Sequence, residues 1–255
     1  MPLEIRTIPC LSDNYAFLAH DAESGETALV DVPEAAPILA ALAETGWTLS
    51  HVLITHHHWD HVQDLDKVLD QHPAKVVGHK ADADRLPPLD IALSEGDTFQ
   101  LGGETAQIFD VSGHTIGHIA FYFPESKAMF TADSLMALGC GRVFEGTMPQ
   151  MWESLSKLAA LPADTVVYSG HEYTQTNGAF ALTIEPDNPD LNSRVRDIAA
   201  ARAENRTTVP SLLSLELATN PFLRAGNPQV QANLGMQGES AAAVFSEIRR
   251  RKDRF

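Results

Sequence analysis

Residues 55–61 read Thr-His-His-His-Trp-Asp-His. His56 and His58 are two apart, so they cannot share a helix face, where neighbours are three or four apart. The run Leu49–Thr55 before them reads as a buried strand. The run Val62–Leu69 after them has helical spacing, with Val62, Leu65, Val68 and Leu69 on one face. His56, His58, Asp60 and His61 are therefore expected on a strand-to-helix turn, where several imidazoles can point into one space. Neutral imidazoles with a carboxylate are ligands for zinc, iron or manganese. A tag-like histidine run would be terminal and would lack the ordered Asp-His ending.

Working outward, three more ligand-type residues end predicted strands. They are His114 after Gln107–Gly113, Asp133 after Ala128–Ala132, and His171 after Thr165–Gly170. The ending Ser-Gly-His occurs twice, at 112–114 and 169–171. Glycine there lets the backbone turn and aim the imidazole back over the strand end. These seven candidates exceed one four-coordinate site and suit two adjacent metals. Asp31, ending Ala28-Leu-Val-Asp, fits either a partner that orients a ligand or a turn or helix cap. His20, His51, His57, His72, His79 and His118 read as surface or packing histidines. His57 alternates with its neighbours and should point away from them.

The rest of the chain reads as an α+β protein. Ala16–Ala19, Ala28–Val32, Lys75–Gly78, Thr105–Val111, Ile119–Phe123, Lys127–Phe130 and Thr165–Tyr168 have strand character. Ala35–Glu44, ending at Gly46, and Met151–Leu161 have helix character. Two sheets with helices outside them are expected. After His171 strand signals fade. Asn188–Asn205, Ser211–Leu217 after Pro210, and Ser240–Arg251 read as helices, with the likeliest join at Glu185–Asp190. Domains are expected at 1–171 and 172–255.

The 255 residues suffice for one large domain or one domain with a smaller companion. A hydrophobic fraction of 44% and a charged fraction of 20% are ordinary for a globular protein. No apolar run approaches the roughly 20 residues that cross a bilayer, and the first residues lack a basic-then-apolar signal pattern. Two cysteines, Cys10 and Cys140, make no disulfide framework, so a reducing cytoplasm is the expected home. A net charge of −16 argues against nucleic-acid binding. It serves solubility, and bound cations would answer part of it.

The run Thr55–His61 followed by His114, Asp133 and His171 resembles the metallo-β-lactamase fold superfamily. Within it the chain is similar to the glyoxalase II, or hydroxyacylglutathione hydrolase, family. The resemblance covers nearly the whole chain. It includes Ser12-Asp-Asn-Tyr15, Gly139-Cys-Gly-Arg-Val-Phe-Glu-Gly-Thr147, Gly170-His-Glu-Tyr-Thr174, Asn220-Pro-Phe-Leu-Arg224 and Arg249-Arg-Arg-Lys-Asp-Arg-Phe255. It implies an αββα sandwich with a C-terminal α-helical subdomain that binds glutathione. It further implies two divalent metals, commonly zinc, with iron or manganese also accepted. One would be held by His56, His58 and His114, the other by Asp60, His61 and His171, with Asp133 bridging. Asp60 and Asp133 would hold the metal-bridging hydroxide that attacks a thioester carbonyl. The leaving thiolate needs little acid assistance, so Asp60 reads as a ligand and not as an obligatory general acid. The implied reaction is hydrolysis of S-D-lactoylglutathione to glutathione and D-lactate, the second step of methylglyoxal detoxification, by a protein that is often a monomer.

Arg249, Arg250, Arg251, Lys252 and Arg254 form a basic cluster on an acidic chain. By itself such a cluster offsets the negative end of a helix. The resemblance gives it another use, since the family holds the glycine carboxylate of glutathione at the positions of Arg249 and Lys252. It also uses the positions of Arg142, Phe144 and Tyr173. Many relatives have Tyr at position 144, and Phe144 lacks the hydroxyl that would bond the peptide. Arg250 and Arg251 read as solvated charges. Alternatives are another enzyme on this fold, such as a glutathione persulfide dioxygenase, and a non-enzymatic metal-binding module.

Overall fold

A computed structural model describes residues 1–255, which form two compact units. The first contains residues 1–111 and 116–131, and the second residues 112–115 and 132–255. In the first, β1 (Glu4–Cys10), β2 (Asn14–His20) and β3 (Thr27–Val30) form an antiparallel meander. Helix α1 (Ala35–Thr45) then leads to β4 (His51–Leu53), which pairs parallel with β3. Short helices α2 (Trp59–Val62) and α3 (Leu65–Leu69) follow. Strands β5 (Lys75–His79) and β6 (Ile91–Leu93) extend the sheet in parallel. A second antiparallel meander runs through β7 (Thr98–Leu101), β8 (Glu104–Asp110), β9 (Ile119–Phe123) and β10 (Ala128–Ala132).

Alternation decides what each face covers. On β2, Ala16 and Leu18 join Leu29, Val52 and Val76 in a core against Ile38, Leu42, Leu65 and Val68 of α1 and α3. The opposite face of β2 sends Phe17 against Phe130 of β10, ring centroids 5.7 Å apart, so the two sheets pack face to face. β9 and β10 are buried throughout, as strands covered on both faces must be, whereas β1 and β7 alternate.

The second unit has a short hairpin, β11 (Leu135–Met136) and β12 (Gly139–Cys140), then α4 (Met148–Ala159) and β13 (Val166–Ser169). Helices α5 (Thr174–Ile184) and α6 (Pro189–Ala203) precede β14 (Ser211–Leu212), which pairs with β13. Helices α7 (Leu213–Thr219), α8 (Pro228–Leu234) and α9 (Ala241–Asp253) complete the chain. Side-chain caps start four of these helices: Thr147 with Gln150 in a capping box on α4, Asn188 on α6, Asn227 on α8 and Ser240 on α9. Phe222 packs between Phe180 and Phe245, each at 6.0 Å, at the centre of the helical core.

Two expected helices differ. Ser211–Leu217 begins as strand, because Ser211 and Leu212 pair with Val167 and Val166 before the helix starts at Leu213. Val62–Leu69 is broken at Asp64, whose carboxylate turns away to accept the Ala35 amide at 2.8 Å. Both cysteines are buried and unbridged. No helix is long and apolar enough to cross a membrane.

Candidate metal centre

In the first unit the 55–61 turn lies between β4 and α2. Its entry is pinned to the second meander, with Ile119 donating its amide to the Thr55 carbonyl at 3.0 Å. His56 packs its ring 4.7 Å from His58 and 4.3 Å from His61. His56 and His61 are fully buried. His57 points elsewhere, to Asp82 at 3.0 Å, as its alternation predicts. Trp59 is exposed.

A chain of hydrogen bonds orients these imidazoles. Asp31 accepts the Thr55 amide at 2.9 Å and the Thr55 hydroxyl at 2.8 Å. Having donated to Asp31, that hydroxyl is left to accept from His56 Nδ1 at 3.0 Å. Asp31 also takes the Nδ1 proton of His61 at 2.8 Å. With Nδ1 protonated in both rings, each Nε2 keeps its lone pair, the state a metal needs. Asp31 thus orients the His61 ring and does not cap α1, whose N-cap is Glu34. Asp31 holds φ 57°, a left-handed conformation costly for a residue with a Cβ.

Sequence reasoning missed Asn14 as a site residue. It lies 46 residues from Asp60, yet its side-chain amide donates to Asp60 Oδ2 at 3.0 Å and to the Asp60 carbonyl at 3.1 Å. The signal was Ser12-Asp-Asn-Tyr15, which carries no partner information by itself. His118, read as a packing residue, stacks on His56 at 4.6 Å.

In the second unit His114 and His171 converge on one carboxylate. Their Nε2 atoms lie 3.4 and 3.3 Å from Asp133 Oδ2. The Arg142 carbonyl accepts the His114 Nδ1 proton at 2.7 Å, which again leaves Nε2 for a metal. Gly113 holds φ 148°, and a Cβ there would meet Met151 at 2.5 Å. Gly141 lies so close that a Cβ would sit 2.0 Å from the Asp133 carbonyl oxygen and 2.9 Å from His114 Nδ1. Gly170 donates its amide to the Ala132 carbonyl at 3.0 Å, which joins the strand end carrying His171 to the residue before Asp133.

Two exposed aromatics cover the two metal-type imidazoles of this unit. Tyr173 stacks on His171 at 4.7 Å, and Phe144 meets His114 edge-on at 5.3 Å. Arg142 lies 5.8 Å from the Phe144 ring. Arg249 is only 4% exposed; it donates to the Cys140 carbonyl at 2.8 Å and lies over Phe222. Lys252 sits between the rings of Phe180 and Phe255, at 5.4 and 5.2 Å. Burial and, to a lesser degree, the charge of Arg249 hold the Lys252 ammonium below its ordinary pKa.

In each unit imidazoles stand beside a carboxylate, with His61 and His114 donating Nδ1 to oxygen acceptors, and such donors suit divalent ions. Residues 16–171 match the metallo-beta-lactamase superfamily model, and residues 172–255 match the model of the hydroxyacylglutathione hydrolase C-terminus. A hydroxyacylglutathione hydrolase of Ruegeria pomeroyi is 65% identical over the full length of both chains. The crystal structure of ETHE1 from Myxococcus xanthus superposes with a TM-score of 0.66 at 23% identity, covering 98% of each chain. A protein crystallised in a di-iron-bound form gives 0.61 at 27% identity, covering 86% of this chain and 100% of its own. Carrying the metallo-β-lactamase fold and aligned end to end with enzymes of that name, this chain belongs to the hydroxyacylglutathione hydrolase family.

Proposed function

We propose that this protein hydrolyses S-(2-hydroxyacyl)glutathione thioesters, chiefly S-D-lactoylglutathione, to glutathione and the 2-hydroxy acid. The observation that carries this reading is the convergence of His114 and His171 on Asp133, in the unit that also bears Arg142, Arg249 and Lys252. In this reading His56, His58 and His114 would hold one metal and Asp60, His61 and His171 a second, with Asp133 serving both. Zinc is the proposed ion. Two such ions, when bound, would lower the pKa of a water toward about 7 and polarise the thioester carbonyl.

The protein's own groups do the rest. Asp31 and Thr55 keep the His56 and His61 lone pairs aimed inward. Asn14 fixes Asp60, so its carboxylate serves as a ligand and holds the attacking oxygen together with Asp133. Tyr173 offers its hydroxyl to the glutathione peptide, while Phe144 offers only its ring face. Arg142, Arg249 and Lys252 attract the glycine carboxylate. The thiolate leaves without a general acid, because a thiol of pKa near 8.5 is a good leaving group. Residues 1–171 carry the metals and 172–255 most of the glutathione contacts, in a cytoplasmic monomer.

Purified, metal-loaded protein should consume S-D-lactoylglutathione, followed by loss of the thioester absorbance, and a chelator should stop it. A folded sample with both metals bound and no turnover would refute the thioesterase. Oxygen uptake with glutathione persulfide would then favour the dioxygenase, which the full-length relatives do not.

A further inference from the structure

The cation cluster proposed to hold the glycine carboxylate already contains a carboxylate of the protein. Asp253 is the last residue of α9. The carbonyl end of a helix repels an acid, so the position is unfavourable unless cations compensate. They do. Asp253 Oδ1 accepts from Arg249 Nε at 3.1 Å and Arg249 Nη2 at 2.9 Å. Arg142 Nε approaches the same oxygen at 3.4 Å.

The Nε–Nη2 edge of Arg249 is the fork on which a planar carboxylate binds best. Arg249 cannot swing to offer another edge, because Nη1 is committed to the Cys140 carbonyl and its face to Phe222. Arg142, by contrast, is 55% exposed and can follow either anion. Lys252 adds a third cation, so Asp253 lowers the local charge from three to two. Only its Oδ1 is used in these contacts, and its side chain is 29% exposed, which leaves it room to rotate outward.

We infer that Asp253 is a specificity-determining residue, a resident carboxylate that occupies the anion position of the Arg142–Arg249–Lys252 cluster until the glycine carboxylate of glutathione displaces it. This rests on the proposed assignment of that cluster to the glycine carboxylate. Displacement trades one carboxylate for another on the same guanidinium fork, so a ligand lacking a carboxylate there gains nothing. It also weakens product binding and helps glutathione to leave.

The test is D253N, with D253S as a second variant should the asparagine form melt early. Removing a partly exposed competing charge should lower KM for S-D-lactoylglutathione about three- to fivefold, with the change in KM and not in kcat. Product inhibition by glutathione should tighten by a similar factor. The same thioester built on γ-glutamylcysteine, without glycine, should show no difference between wild type and variant. An unchanged or raised KM, or an equal drop with the shortened thioester, overturns the inference. If the wild-type protein hydrolyses neither thioester, the thioesterase reading fails on its own. Calorimetry with reduced glutathione still decides the role of Asp253, since tighter binding to the variant supports it and equal or weaker binding refutes it.

Discussion

At the scale of single residues, the site depends on who holds the second nitrogen of each imidazole. Asp31 takes the His61 Nδ1 proton, and an asparagine there would present an amide N–H to that nitrogen instead. The ring would flip tautomer, protonate Nε2 and lose its lone pair. D31N should therefore bind metal about 10- to 100-fold more weakly, measured by competition with a chromogenic chelator. Lys252 sets an alkaline limit. Its ammonium is held below the ordinary lysine pKa by burial, so it loses its charge earlier as pH rises. KM for the thioester should climb in a range where ordinary lysines remain charged, and K252R, whose guanidinium does not titrate there, should flatten the rise. The donor types were legible in the sequence because imidazoles and carboxylates at strand ends have few other uses in such number. Their partners were not legible. Asn14 reaches Asp60 across 46 residues and Asp31 reaches His61 across 30, which no local pattern encodes.

At the scale of elements, one buried acid ties the helical region to the loop that follows Asp133. Glu216 of α7 is fully buried. It accepts from Arg194 of α6, from Ser211 at 2.6 Å, from the Leu138 amide at 2.8 Å and from Asn220 at 3.1 Å. Leu138 sits between β11 and β12 with φ 55°, a conformation these bonds hold in place. E216A strands the Arg194 guanidinium in the interior and should cost about 3–5 kcal/mol, read from the urea midpoint. Elements with both a period and a cap were legible: α4, α6 and α9 each begin at a Thr, Asn or Ser whose side chain closes the first turn. Several others carry no such signal and are not legible. α5 carries Gly178 in mid-helix and no clear apolar stripe, and β11 and β12 are two residues each, too short for alternation to register. β14 has a helical local pattern, which pairing with β13, forty-five residues earlier, overrides.

At the scale of the whole molecule, a chain of net charge −16 gathers carboxylates that repel one another, and bound cations relieve part of that repulsion. A ligand present at about a hundredfold above its Kd adds about 2.7 kcal/mol, so stripping the metals should lower Tm by roughly 5–10 °C, with recovery on adding zinc. Calorimetry on chelated and reloaded samples measures it, and an unchanged Tm would mean that the donors are held without metal. The two thiols carry a practical consequence. Burial pushes Cys10 up to about 12 and Cys140 up to about 11, so neither forms a thiolate near neutrality. Maleimide dyes should ignore the native protein. A single cysteine introduced at an exposed position, such as Glu239→Cys, would then be the one thiol labelled, and fluorescence work on this molecule could begin without first removing the natural pair.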